Sequence, residues 1–286
     1  MILIGTSGYS FPDWVGPFYP SGIDRSRMLD YYARQFTTVE VNTTYYRIPP
    51  PSTMHSMERR TPPGFEFVVK ANQDMTHGQS LDPELYRSFH RTLGPLRLAG
   101  KLSGVIAQFP YAFRRSQSGE EFLREIKRRM EDVPLFVEFR HDSWVRNGAF
   151  EFLEAEGLDY VSVDEPDLPG LVPPIARATA PVAYVRFHGR NKANWWGSGG
   201  KSGGAERGGG IVRVERTAAG DRYDYLYSEA ELKEWAEKIR DLSRKTQKTF
   251  VFFNNCHVGQ AATGAKLMRR LLELPEPALA DLPGLL

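Results

Sequence analysis

VAYVRFHGR (Val182–Arg190) is an apolar, aromatic and β-branched run that ends in polar and charged residues. Working outward, seven more runs share its form: YVSVDE (Tyr160–Glu165), FVFFNNCH (Phe250–His257), LFVEFRHD (Leu135–Asp142), GVIAQFP (Gly104–Pro110), FVVKAN (Phe67–Asn72), TVEVN (Thr38–Asn42) and ILIG (Ile2–Gly5). Near-continuous apolar runs mark parallel strands buried on both faces. Helix-like segments separate them, so the pattern predicts an α/β fold, a single (β/α)8 TIM-type barrel over residues 1–286. The length, 286 residues, suits one such barrel of roughly 250 residues.

The helical segments read by their spacing. Met28, Leu29, Tyr32 and Phe36 share one face of Arg25–Phe36. Asp82-Pro83 is an N-cap with proline at the first helical position, before the stripe Leu85, Phe89, Leu93 and Leu96. Ser118 with Glu121, and Ser228 with Glu231, have capping-box spacing. A last helix is expected over about Gln260–Leu274, stopped by Pro275 and Pro277. Residues 197–210, GSGGKSGGAERGGG, carry eight glycines and cannot bury enough apolar surface to offset ordering. They read as a flexible insertion after the seventh strand, lying over the mouth.

Composition narrows the class. Net charge is +2, from 37 basic and 35 acidic residues, which by itself calls for neither nucleic acid nor membrane. The single cysteine, Cys256, excludes an internal disulfide framework. It fits the reducing cytoplasm, the expected location. No apolar run approaches the roughly 20 residues of a membrane span, and the chain opens directly on a strand.

The motifs IGTSGYSFPDWVGPFYP, VEVNTTYYRIP, FEFVVKANQDMTH, VIAQFP, VEFRHDSW, YVRFHGRN, RYDYLYS and FFNNCHVGQAATGA occur in that order along nearly the whole chain. In this series the chain resembles the YecE-like family, Domain of Unknown Function 72. The resemblance implies a TIM-type barrel. It implies no reaction, because the family is named for the lack of one. The glycine-rich insert falls between NWWG and RYDYLYS, where a shorter connection is expected.

Strand exits in such a barrel converge on one mouth. Glu40, Lys70, Glu138, Asp164 and Arg186 are the candidate catalytic groups. Asn42, Asn72, Gln108, Arg140, His188, Asn254 and His257 are candidate substrate contacts, with Tyr9, Trp14, Tyr45 and Trp195 supplying ring faces. Arg47 and Arg190 add to the basic set, and arginine suits bidentate recognition of phosphate or carboxylate. Lys70 has two roles open to it. Buried among apolar walls it becomes a base or Schiff-base nucleophile, whereas pairing with Glu40 or Glu138 keeps it charged. His77, His141, His188 and His257, with the mouth acids, are a weak candidate for a divalent-metal site, since no HxH or HExxH spacing occurs. The backbone amides of Thr6-Ser7-Gly8-Tyr9 could hold an anion. Cys256 and His257 are adjacent on an extended segment and point apart, which argues against a dyad.

Three functions compete. One is hydrolysis of a phosphate-containing substrate: a small anionic or sugar-phosphate ligand, or nucleic acid. Here Glu40, Glu138 and Asp164 bind metal or activate water. A second is carbohydrate hydrolysis or isomerisation with Glu40 and Glu138 as acid and base. A third is non-catalytic binding of a small anion.

Overall fold

The computed structural model describes residues 1–196 and 222–277. Eight parallel strands form one sheet in the order β1-β8-β7-β6-β5-β4-β3-β2. They are β1 (Ile2–Thr6), β2 (Thr38–Val41), β3 (Glu66–Lys70), β4 (Leu102–Gln108), β5 (Leu135–Glu138), β6 (Asp159–Asp164), β7 (Val182–Phe187) and β8 (Lys248–Phe253). Each falls within one of the predicted runs or a residue or two from it. The expected (β/α)8 TIM-type barrel is therefore the observed fold. Residues 197–210, the glycine-rich insertion, lie outside the described residues.

Closure occurs between β1 and β2, and it is made in an unusual way. Gly5 lies so close to Thr38 that a Cβ would sit 2.3 Å from the Thr38 carbonyl oxygen, so only glycine fits there. The hydroxyl of Tyr32 enters the seam. It accepts from the Thr6 amide at 2.9 Å and donates to the Thr38 carbonyl at 3.1 Å. Beyond it, Ser7 bridges to Glu40, with the Gly8 amide donating to the Glu40 carbonyl at 2.8 Å. A side-chain hydroxyl thus replaces a ladder bond that two twisted edges could not make directly.

The outer layer consists of α1 (Met28–Gln35), α2 (Thr43–Tyr46), α3 (Pro51–Arg59), α4 (Gln73–Thr76), α5 (Pro83–Leu98), α6 (Gln117–Met130), α7 (Ala149–Glu156), α8 (Glu229–Lys245) and α9 (Gln260–Leu271). The Asp82 cap and the Ser228–Glu231 capping box form as expected. The cap of α6 does not. Ser116, in extended conformation, accepts from the Gly119 amide, and Ser118 lies inside the helix. Between β6 and β7 the described chain has no helix. Residues 165–181 contain Pro166, Pro169, Pro173, Pro174 and Pro181, too many missing donors for a helical ladder.

Inside the barrel, side chains form layers along the axis, as alternation requires. At the N-terminal end Lys248 binds Glu66 at 2.6 Å. Above it lies an aromatic plug, with the Phe136 ring 4.9 Å from Tyr184 and 6.1 Å from Phe250. Gly104 makes room for Phe136, since a Cβ there would meet its ring at 2.5 Å. The charged layers rest on this plug.

Replacing Tyr32 with phenylalanine leaves the buried Thr6 amide without its partner. Urea unfolding should show a loss of about 1–3 kcal/mol with the barrel's circular dichroism unchanged. An unaltered midpoint would mean the hydroxyl does not hold the seam.

Candidate active site

Strand alternation builds the site. On β7, Tyr184 and Arg186 both point inward, two residues apart. Tyr184 donates to Glu40 Oε2 at 2.7 Å, and Arg186 donates to Glu40 Oε1 at 2.7 Å and Glu138 Oε2 at 2.5 Å. Arg140, two residues beyond Glu138, contacts Glu138 Oε1 at 2.9 Å and donates to Glu165 Oε2 at 2.6 Å. The other Glu165 oxygen accepts from the Val172 amide at 3.2 Å. Glu40, Glu138 and Arg186 are fully buried or within 1% of it.

The protonation states follow from this packing. Burial would raise the Glu138 carboxyl, but Arg186, Arg140 and His188 together hold it well below the usual range. His188 Nε2 lies 3.2 Å from Glu138 Oε1, and its Nδ1 lies 3.0 Å from the Asn254 amide nitrogen. With Asn254 donating, Nδ1 is an acceptor and Nε2 carries the proton. Burial, then the charge of Arg140, lowers His188 to about 3, so it stays neutral, with Nε2 facing Glu138 Oε1. Burial also raises Glu165 to about 7 against the pull of Arg140.

Lys70 ends β3 and differs from the arginines. Its Nζ donates to Gln108 Oε1 at 3.0 Å and sits 4.4 Å from the centre of the Tyr45 ring. Burial, then the Arg186 charge, lowers it to about 8. The expected pairing with Glu40 or Glu138 does not form, because Arg186, Arg140, Tyr184 and His188 take those oxygens.

Asn72 holds this corner together. As N-cap of α4 it accepts from the Asp74 amide at 3.1 Å, while its side-chain nitrogen donates to the Thr44 carbonyl at 2.9 Å and the Tyr45 carbonyl at 3.2 Å. It therefore fixes α2, and with it Tyr45, beside Lys70.

Above these groups opens a cavity of about 370 Å³, within the range of small-molecule sites. It is lined by Tyr45, Tyr46, Lys70, His77, Gln108, Pro110, Tyr111, Arg140, Leu171, Trp195, Trp196, Arg222 and Tyr223. Among the described residues no carboxylate lines it. Trp195 packs down with Arg140 5.6 Å and Arg222 5.8 Å from its ring. Trp196 remains 56% exposed at the rim, its ring centre 5.0 Å from that of Tyr111.

Several predicted residues lie elsewhere. Asp164 points outward from β6. It accepts from Arg190, from Tyr227 at 2.6 Å and from Trp235 of α8 at 2.5 Å. The inward carboxylate is the next one, Glu165. Trp14 is buried under the first loop and donates to the Cys256 carbonyl at 2.6 Å. Tyr9 packs on Tyr32, with ring centres 6.1 Å apart. His257 pairs with Asp224 at 3.1 Å. Asn42 precedes α2 and does not line the cavity. The Ser7 and Gly8 amides donate to Phe253 and Glu40 carbonyls, so they offer nothing to an anion. Cys256 donates to the Ser7 carbonyl at 3.2 Å, and burial pushes its thiol up. Among the described residues no group of three or more His, Cys, Asp or Glu side chains could hold a metal ion. Glu165, Tyr111, Arg222 and Tyr223 were not singled out from the sequence. Glu165 could have been found by strand parity, and Tyr223 lies in the RYDYLYS motif.

The molecule is thus a (β/α)8 barrel with an ion-paired interior beneath a cationic, aromatic mouth. It belongs to the family described as "Protein of unknown function DUF72", which matches residues 3–284. It is 33% identical over 292 residues to UPF0759 protein YunF of Bacillus subtilis, covering 98% of both chains. UPF0759 protein YecE of Escherichia coli is 29% identical over 164 residues, 55% of each chain. Among solved structures, a DUF72 family protein of Thermotoga maritima superposes with TM-score 0.82 at 40% identity, covering 96% of this chain and 99% of that one. One from Enterococcus faecalis superposes with TM-score 0.82 at 26% identity over 100% of both. No helix among the described residues is long and apolar enough to cross a membrane.

Glu165 gives the site a pH signature. Its folded pKa, about 7, lies above the unfolded value of roughly 4.3. The folded state then binds the extra proton, so its contribution is full below the unfolded value and is lost as pH rises through 7. Asp159, also raised by burial to about 7, acts in the same direction. His188, lowered to about 3, opposes this below about 6.5, so the test is the difference: in denaturation between pH 4 and 8, Glu165→Gln should gain stability relative to the unaltered protein as pH rises. An equal slope in both proteins would contradict the assignment.

Proposed function

We propose that this protein is an enzyme whose barrel mouth takes a small phosphate-bearing ligand with a flat or ring-shaped body. The observation that carries this reading is the lining of the cavity: Lys70, Arg140 and Arg222 among aromatic walls, with no carboxylate among the described residues. Guanidinium groups match phosphate geometry, and a partly dry pocket strengthens the attraction. Tyr45, Tyr111, Trp195 and Trp196 offer faces and edges to a ring. Arg140 and Arg222 hold the anion, and Lys70 is the proton-transferring group nearest the pocket floor.

This favours the anion-binding part of the sequence expectation over two-carboxylate sugar chemistry. Glu40 and Glu138 are 0% exposed, with Arg186 and Tyr184 hydrogen-bonded to them and Arg140 and His188 packed against Glu138. An acid so placed has no path to a glycosidic oxygen. It also favours a compact ligand over a duplex. Duplex binding needs many phosphate contacts, and the net charge is only +2.

The test compares mononucleotides and sugar phosphates with their neutral nucleosides and sugars by thermal shift and calorimetry. Phosphate-bearing compounds should raise the melting temperature. Arg222→Met should weaken them roughly 10–100-fold, the equivalent of one charged hydrogen bond of about 1.5–3 kcal/mol. Equal binding of the neutral compounds would sink the reading.

A further inference from the structure

Among the described residues, Lys70 is a cation of the barrel's C-terminal interior with no carboxylate in ion-pair contact. Arg186 lies against Glu40 and Glu138, and Arg140 against Glu138 and Glu165. The Lys70 amine instead meets a neutral amide and a ring face. The amide's orientation is set independently, since Gln108 Nε2 donates to the Phe109 carbonyl at 3.0 Å and so turns Oε1 toward the lysine. An oxygen there accepts an N–H and leaves the lone pair of a neutral amine free. The same corner also suits a cationic product, because the Tyr45 face attracts positive charge.

We propose that Lys70 forms a Schiff base with an aldehyde or ketone carried by the anionic ligand. This rests on the anion-binding reading above and adds a carbonyl to the substrate class. The neutral amine's lone pair attacks the carbonyl carbon, and the carbonyl π pair moves to oxygen. The resulting carbinolamine loses that oxygen as water, which leaves with both amine hydrogens. Protonation gives the iminium, and no oxidant or reductant is consumed. Burial and the flanking guanidiniums hold Lys70 near 8, so an appreciable fraction is nucleophilic near neutrality. The anion, fixed by Arg140 and Arg222, would present the carbonyl to Nζ.

Pyridoxal phosphate, a flat phosphorylated aldehyde, is the probe. Pyridoxine phosphate, with an alcohol in place of the aldehyde, is the binding control. Limiting pyridoxal phosphate is added to the full-length protein and reduced with borohydride, and peptides are mapped by mass. Lys70 should carry the dominant adduct, heavier by the probe's mass less one oxygen atom. Excess pyridoxine phosphate should suppress it. Lys70→Arg should lose the adduct yet keep the thermal shift with pyridoxine phosphate, since the charge survives. The suppression experiment on the unaltered protein decides the matter should that variant not fold. Labelling spread over other lysines, with pyridoxine phosphate still bound, would overturn the Schiff base and leave the anion site standing. Failure of both compounds to bind would overturn both.

Discussion

Arg186 sits at the centre of the barrel, within 1% of full burial, between Glu40 and Glu138. Burying a guanidinium costs several kcal/mol unless its hydrogens are used by well-placed anions. Two carboxylates from opposite sides of the barrel meet that need. Around them stand Tyr184, which donates to Glu40, and Arg140 and His188, which lie against Glu138. The network links β2, β5 and β7 across the axis.

The consequence for chemistry is one of allocation. Near the mouth the interior holds Glu40, Glu138 and Glu165 against Arg186, Arg140 and Lys70. Burial raises Glu165 to about 7, so around neutrality the acids do not fully balance three cations, while His188 remains neutral. Two of these cations, Lys70 and Arg140, line the cavity. Lys70 and Arg140 are therefore attractive to an anion although the whole chain carries a net charge of just +2. The feature that stabilises the barrel interior also leaves its mouth short of negative charge.

Much of the fold was legible because strands buried on both faces must be apolar throughout, and each run ends where polar side chains reach the mouth. The seam between β1 and β2 was not, since a tyrosine hydroxyl acting as a ladder group leaves no periodic trace. In the site, alternation sets Glu138 and Arg140, two residues apart, on the same side of the chain, where they meet. Asp164 shows the limit of that logic: one residue of parity turns it to the helical layer and Glu165 to the interior. Whether Lys70 would be paired depended on how two arginines from β7 and the β5 exit divide the acids between them, which is a matter of distance across the barrel. Arg222 and Tyr223 reach the cavity by a tertiary path that spacing does not encode.

The most direct test of this account is the titration of Lys70 itself, followed by NMR of lysine labelled with carbon-13 at Cε and assigned by Lys70→Arg. Burial and the nearby charge of Arg186, with no carboxylate in contact, predict a midpoint near 8, moving upward when a phosphate-bearing ligand enters the cavity. A midpoint at the ordinary lysine value of about 10.4, indifferent to phosphate, would show that an acid pairs with Lys70 after all and would contradict the account at its root.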